Sequence, residues 1–252
     1  MKALHPSKLN LTASILDGDA RSLYITAPHG GAGASTCAFS LASSLSAANP
    51  ECNLIPDEDV GYTSHRNEEG VDSANSFSDL VHLGGLDLKL PNPYLNRTLL
   101  IDGNPGPNSL TSKLGFEGKI GISDLILSDG AGVISKVIYQ LDDERFHLIP
   151  SGQFSLGRLV GQESAILKCL IENLKGSYRY VVYDGPPTQN NSETLAIASA
   201  FDGVVMVVSS NQTRIGVAQA AKDSLVQSGA NVIGVIFNRR KYYIPKWVYE
   251  LL

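Results

Sequence analysis

Short apolar runs alternate with longer helical patterns along this chain, and no other feature limits the fold as strongly. The runs are apolar nearly throughout, as is typical of strands covered on both faces. They lie at Ser22–Ala27, Thr98–Asp102, Phe146–Pro150, Tyr178–Asp184, Gly203–Ser209 and Asn231–Asn238. The helical patterns lie at Ser35–Ala47, Gly161–Leu174, Ser192–Phe201 and Thr213–Gln227. This alternation predicts an α/β fold with a doubly wound, mainly parallel sheet flanked by helices.

One long stretch breaks the alternation. Residues 49–96 hold no convincing core element, and Glu51–Asp72 is strongly acidic. A connection of that length is unusual within a compact domain. We therefore expect residues 1–252 to form a single P-loop-like α/β domain, with 49–96 as a flexible acidic insertion. A lid or a partner-docking segment is the alternative interpretation of the same residues.

Composition excludes some classes of function. The net charge of −5 argues against nucleic acid as a partner, because neutralising phosphates needs a basic face. The three cysteines have no metal or redox spacing, which is typical of reduced thiols in the cytosol. No apolar run approaches the roughly 20 residues that span a bilayer. We expect a cytoplasmic protein, with peripheral attachment to the inner membrane through a protein partner left open.

A glycine-rich turn follows the first predicted strand and leads into a helix. Such a turn lets backbone N–H groups converge on an anion, and the helix N-terminus adds positive potential. The usual motif ends in Gly-Lys-Ser/Thr, with the lysine on the β- and γ-phosphates and the hydroxyl on Mg²⁺. Here Ala34 takes the lysine position, and His29 takes the earlier lysine position of the deviant form. The candidate phosphate-binding residues are Gly30, Gly31, Gly33, Ala34, Ser35 and Thr36. A turn that serves only the fold is the alternative.

Six later segments occur in the order of a known set of motifs. They are Leu99–Asn104, Gly121–Ile126, His147–Gly152, Tyr180–Pro187, Ser192–Val204 and Val232–Asn238. Together with the glycine-rich loop, they resemble the cytoplasmic kinase domain of the bacterial tyrosine autokinases. That family governs capsule and exopolysaccharide export, and it belongs with the partition ATPases in the deviant Walker-A class of P-loop proteins.

The resemblance implies roles for individual residues. Asp184 falls at the Walker-B position and Asp102 at the first acid of the second Walker box, which makes both candidate catalytic residues. With Ser35, these two carboxylates are the implied Mg²⁺ ligands. The second acid of that box is Asn104 here, a weaker metal partner. Asn238 matches the position whose amide reads the adenine edge, although a turn role is equally open. Mg-ATP or Mg-ADP is the implied cofactor, and we expect it to bind weakly.

The C-terminal segment is basic and aromatic. In the family, tyrosine-rich tails are autophosphorylated, so Tyr242, Tyr243 and Tyr249 are candidate phosphate acceptors. Two alternatives stay open. The tyrosines can pack a short terminal helix onto the domain, or the segment can dock on a membrane-protein partner.

The leading hypothesis is a kinase-like, or pseudokinase, component of exopolysaccharide synthesis or export with weak or no nucleotide hydrolysis. Catalysis of phosphoryl transfer is mostly positioning and charge neutralisation, and losing one preorganised donor typically costs about 10²–10³ in rate. The implied partner is the cytoplasmic portion of an inner-membrane polysaccharide co-polymerase or export protein, and a homodimer is left open. The alternatives are an active ATPase or protein-tyrosine autokinase with an unconventional P-loop, and a partition ATPase acting on DNA or a membrane.

Overall fold

The computed structural model describes residues 12, 13, 15, 18–48, 97–127, 134–141, 146–153, 162–189, 192–210 and 212–239. The strands in this part of the chain are β1 (Ser22–Thr26), β2 (Thr98–Asp102), β3 (Tyr139–Gln140), β4 (Phe146–Ile149), β5 (Tyr180–Asp184), β6 (Gly203–Ser209) and β7 (Val232–Asn238). The helices are α1 (Ala34–Ala47), α2 (Leu110–Lys113), α3 (Ile122–Leu127), α4 (Ile134–Val137), α5 (Gln162–Ser177), α6 (Ser192–Ala198) and α7 (Ile215–Gln227).

The strands form one sheet in the order β3-β4-β2-β5-β1-β6-β7. Each neighbouring pair is parallel except β3 and β4, which pair antiparallel at one edge. The predicted α/β fold with a doubly wound, mainly parallel sheet is therefore confirmed. Strand β3 was not predicted, because a strand of two residues leaves no periodic signal.

Helices cover both faces of the sheet, and this explains the apolar runs. Strands β1, β2, β4, β5 and β6 are buried along their whole length. Successive residues of a strand point to opposite faces. Tyr24 therefore packs in the cluster with α3, α5 and α6, whereas Leu23 and Ile25 pack in the cluster with α1. Both faces must be apolar for such a strand to be stable.

Some predicted boundaries differ from the structure. The fifth strand begins at Tyr180 rather than Tyr178, whose hydroxyl lies 2.7 Å from Nδ1 of the buried His147. Helix α5 runs on to Ser177, three residues beyond the predicted end. The expected insertion at 49–96 and the candidate acceptors Tyr242, Tyr243 and Tyr249 lie outside the described residues.

Strands β1, β2 and β5 are adjacent, so the loops after their carboxyl ends meet at one edge of the sheet. Ligands of open α/β sheets bind at this edge. Within the described residues, no helix is both long and apolar enough to cross a lipid bilayer.

Candidate functional site

A cavity of about 490 Å³ lies at the carboxyl edge of the sheet. It is bordered by the glycine-rich loop, by the loop and helix after β2, by the turn after β5 and by the residue after β7. The described residues that line it are Ala27, His29 to Thr36, Asn104 to Ser109, Lys113, Gly185, Pro187 and Arg239. The candidate phosphate-binding residues predicted from the sequence therefore line one cavity together.

Two glycines give the loop its shape. Gly31 and Gly33 have φ angles of 80° and 90°, in the left-handed region that favours glycine. Gly33 is also the N-cap of α1 and offers no side chain to the amides of the first turn. The Asn238 side chain lies against Gly33, so a Cβ at that position would collide with it. The N-terminus of α1 thus keeps amides that a bound anion can use.

Asp184 is a buried acid for which the described part of the chain offers no hydrogen-bond partner. It is fully buried at the end of β5, and neither oxygen has a partner among the described residues. Burial raises the pKa of Asp184 well above its usual range. The nearby Ser35 hydroxyl lowers this pKa, Asp102 raises it, and the Lys113 ammonium lowers it. A buried acid left unpaired is costly in a folded protein, and a bound cation would remove that cost.

Asp102 lies beside Asp184 in the sheet, but both of its carboxylate oxygens accept hydrogen bonds. The Asn104 amide donates to one oxygen at 3.1 Å, and the Thr111 amide and hydroxyl both donate to the other at 2.7 Å. Burial raises the pKa of Asp102, and the Thr111 bonds oppose that rise. These contacts anchor α2 to the end of β2. A direct catalytic or metal-binding role for Asp102 stays a prediction.

The residues present fit a magnesium ion held together with phosphates. The described residues contain no cluster of three or more histidine, cysteine or acidic side chains that would hold a metal unaided. Mg²⁺ does not need such a cluster, because it keeps several waters and binds one or two carboxylates plus substrate phosphates. The unpartnered Asp184 and the Ser35 hydroxyl beside it would be the protein ligands of such an ion.

His29 is held within its own chain. Its Nε2 lies 2.8 Å from the Thr213 hydroxyl oxygen, and its Nδ1 lies 2.9 Å from the Gly30 carbonyl oxygen. Both ring nitrogens are thus occupied by contacts that join the loop to the segment before α7. The imidazole therefore stabilises the position of the loop.

Asn238 lies behind the loop and does not line the cavity. Its Nδ2 donates to the Ala32 carbonyl oxygen at 2.9 Å. This contact shows how β7 supports the loop. Adenine recognition by Asn238 remains a prediction.

Two cations that were not predicted as site residues, Lys113 and Arg239, line the cavity. Lys113 ends α2, and Arg239 follows β7 with a φ of 56°. The Arg239 guanidinium donates to the Gln212 side-chain oxygen at 3.2 Å. Arg239 was detectable as the neighbour of Asn238, whereas Lys113 is separated from the second Walker box by a Pro-Gly-Pro turn. No aspartate or glutamate is among the described lining residues, so the cavity suits an anion.

The sequence is similar to that of bacterial tyrosine-protein kinases. No protein-family model matches the chain. The tyrosine-protein kinase CpsD of Streptococcus agalactiae is 26% identical over 144 residues, which are 57% of this chain and 62% of that kinase. The match thus spans less than two thirds of the curated relative.

Solved structures share the fold. The VpsO kinase domain matches with a TM-score of 0.61 at 19% identity, over 93% of this chain and 97% of that one. Cobyrinic acid a,c-diamide synthase from Mycobacterium smegmatis, solved with an ATP analogue and magnesium, matches with a TM-score of 0.53 at 18% identity, over 86% of this chain and 72% of that one. In sequence the chain is similar to a bacterial tyrosine-protein kinase, and in fold it is similar to the VpsO kinase domain.

Proposed function

We propose that this chain is a nucleotide-binding, kinase-like component of an exopolysaccharide or capsule system, with weak or no nucleotide hydrolysis. It acts in the cytoplasm on the cytoplasmic portion of an inner-membrane polysaccharide co-polymerase or export protein. One observation carries the proposal. A glycine-rich phosphate loop lines the cavity with an alanine, Ala34, at the position of the loop lysine, and the unpartnered Asp184 is buried at the end of β5, next to the lining residue Gly185.

Binding is supported by the backbone of the loop. The amides at the start of α1 are not capped by a side chain from Gly33, and the open space around Gly30 and Gly31 lets a phosphate approach closely. Ser35 and Asp184 would hold the Mg²⁺. A bound nucleotide would supply the phosphate chain that completes the metal's ligands.

Weak turnover is supported by the side chains at three positions. Neither Ala34 nor His29 offers a lysine ammonium, and the His29 imidazole is already in contact with Thr213. Asn104 replaces the second acid of the Walker box. Losing one preorganised donor to developing charge costs about 10²–10³ in rate, so three such changes leave little catalysis.

A second candidate is a working ATPase or protein-tyrosine autokinase. It is favoured by one observation, the presence of Lys113 and Arg239 on the cavity wall. Cations that reach the phosphates from other segments can in principle replace those of the loop, as arginine fingers do.

Calorimetric titration with Mg-ATP and Mg-ADP, together with sensitive phosphate-release and autophosphorylation assays, separates the two candidates. Binding with turnover at the level of an Asp184→Asn control supports the first. Turnover that Asp184→Asn abolishes supports the second. If neither nucleotide binds, both candidates are wrong.

The biological part of the proposal needs its own test. Deleting the gene should reduce the exopolysaccharide that the cell exports, and the unchanged chain should restore it. The restored chain should also be found in the membrane fraction of cells that contain the co-polymerase, and it should be absent from that fraction when the co-polymerase is deleted. Unchanged polysaccharide in the deletion strain would contradict this assignment.

A further inference from the structure

Lys113 reaches the cavity from outside the phosphate loop. It is the last residue of α2, it is exposed, and it lines the cavity together with the glycine-rich loop. The cavity lining therefore includes an ammonium group even though position 34 is alanine.

Buried contacts hold the segment that carries this lysine. The Asp102 carboxylate accepts both hydrogen bonds of Thr111, and the Ser109 side chain accepts from the Ser112 amide at 3.1 Å. Leu110 and Thr111 are themselves buried. Such a short helix has no independent stability, so these contacts determine its position. They fix the backbone at Lys113 against the end of β2.

The charges around Lys113 leave it available to an anion. Within the described part of the chain, no carboxylate lies within salt-bridge distance of its ammonium. Arg239, by contrast, already donates to Gln212.

We propose that Lys113 supplies the positive charge that the loop lacks, with its ammonium contacting the terminal phosphate of a bound Mg-nucleotide. The inference rests on the proposed function, because it identifies how the same cavity holds its ligand. The cation would then come from the segment after the second Walker box and not from the phosphate loop, where Ala34 takes the lysine position.

The main alternative is that Lys113 is a solvated surface lysine with no ligand. Lys119 provides the matched control, since it is also an exposed lysine, it follows the same helix, and it does not line the cavity. A general loss of surface charge would affect both lysines alike.

The first test is calorimetric titration of Mg-ATP and Mg-ADP into the unchanged chain, Lys113→Ala and Lys119→Ala. A charge-assisted hydrogen bond contributes roughly 1.5–3 kcal/mol, so we expect Lys113→Ala to weaken Mg-ATP binding about 10- to 100-fold. The loss should be smaller for Mg-ADP, which lacks the terminal phosphate. Lys119→Ala should bind like the unchanged chain. Adding Ala34→Lys to Lys113→Ala should restore binding.

The second test needs no substitution. Acetylation of exposed lysines, read by mass spectrometry, should label Lys113 and Lys119 equally without nucleotide. Mg-ATP should protect Lys113 and leave Lys119 reactive. Thermal unfolding without nucleotide checks that Lys113→Ala is folded.

The outcomes separate this inference from the proposed function. If the unchanged chain binds nucleotide and Lys113→Ala binds equally well, only the role of Lys113 is overturned. Equal labelling of Lys113 with and without bound Mg-ATP overturns it as well. If the unchanged chain binds no nucleotide, the proposed function fails and the inference fails with it.

Discussion

Asp102 and Asp184 are register partners at the ends of the adjacent strands β2 and β5, and both are fully buried. Only Asp102 has hydrogen bonds, three of them from Asn104 and Thr111, whereas neither oxygen of Asp184 has a partner in the described part of the chain. Two acids at the same level of one sheet thus differ in their contacts, and we expect them to differ in their roles. Asp102 anchors α2 to the end of β2, whereas Asp184 is buried without a partner at a cost to the fold, which is why we propose it as a ligand of Mg²⁺.

We expect Asp184→Asn to raise the free energy of unfolding of the protein without ligand, by about 1–2 kcal/mol at pH 8. An amide of the same shape requires neither desolvation of a charge nor uptake of a proton on folding, and it can bond to the Ser35 hydroxyl. The same change should remove the magnesium dependence of nucleotide binding. Urea denaturation without ligand measures the first effect, and titration with and without Mg²⁺ measures the second. A loss of stability would show that Asp184 supports the fold.

Asp102→Asn should have the opposite effect and lower the free energy of unfolding by about 1–3 kcal/mol. The Thr111 amide and hydroxyl would lose their charged acceptor, and α2 would lose its attachment to β2. Urea denaturation in parallel with Asp184→Asn makes each variant the control for the other. Unchanged stability would show that Asp102 does not stabilise the fold, and it would favour a role in metal binding or catalysis.

Binding of Mg-nucleotide should tighten as pH rises and should release a proton. Burial raises the pKa of Asp184, so without ligand this carboxyl keeps its proton above the ordinary value of 3.8. Mg²⁺ needs the carboxylate and displaces that proton. For the same reason the folded state holds more protons than the unfolded one, and Asp184 lowers stability as pH rises from 3.8 toward its folded pKa.

Calorimetry between pH 6 and 8, in buffers of different ionisation enthalpy, counts the released protons. The Asp184→Asn variant should show no such release. Proton uptake by the unchanged chain would contradict the assignment of Asp184 to the metal.

Asp202 should contribute stability that disappears in acid. It accepts from the Arg21 and Ser22 amides at 2.9 and 2.8 Å and from the Lys175 ammonium at 2.7 Å. Burial raises its pKa, but the bonds from Lys175, Ser22 and Arg21 outweigh burial and lower the pKa below 3.8. The contribution is therefore complete above pH 3.8 and is lost as pH falls through the lowered value.

Unfolding free energies of the unchanged chain and Asp202→Asn, measured from pH 2.5 to 6, check this prediction. We expect a difference of about 1 kcal/mol at pH 6 that shrinks toward the acid end. A difference that stays constant across this range would exclude the ionised carboxylate as its source.

Ala34→Lys should tighten Mg-ATP binding, by about tenfold, because the new ammonium starts from the first turn of α1 beside the phosphates. The gain should be larger when Lys113 has been replaced by alanine, since the two cations serve one phosphate. Titration of the single and double variants measures both gains. Equal affinity with and without the loop lysine would show that position 34 does not contact the ligand.

Much of the fold was predictable because its strands are apolar on both faces and its loop is rich in glycine. The apolar run around Leu23, Tyr24 and Ile25 favoured a strand that is covered on both sides, and these residues do pack on opposite faces of the sheet. The placement of Lys113 was not predictable, because it depends on hydrogen bonds between Asp102 and Thr111 and on a helix of four residues with no periodic pattern. Nor does any local pattern reveal that Asn238 bonds to Ala32, 206 residues away.

That last bond has a consequence for how such a site changes during evolution. Because Asn238 braces the loop from behind, the curve of the backbone around Gly33 persists whatever side chain occupies position 34. The shape of the loop therefore does not depend on a loop lysine, and the two cations that line the cavity among the described residues, Lys113 and Arg239, come from other segments. A motif search examines one stretch of chain at a time, so it does not detect a positive charge that another segment supplies to the same cavity.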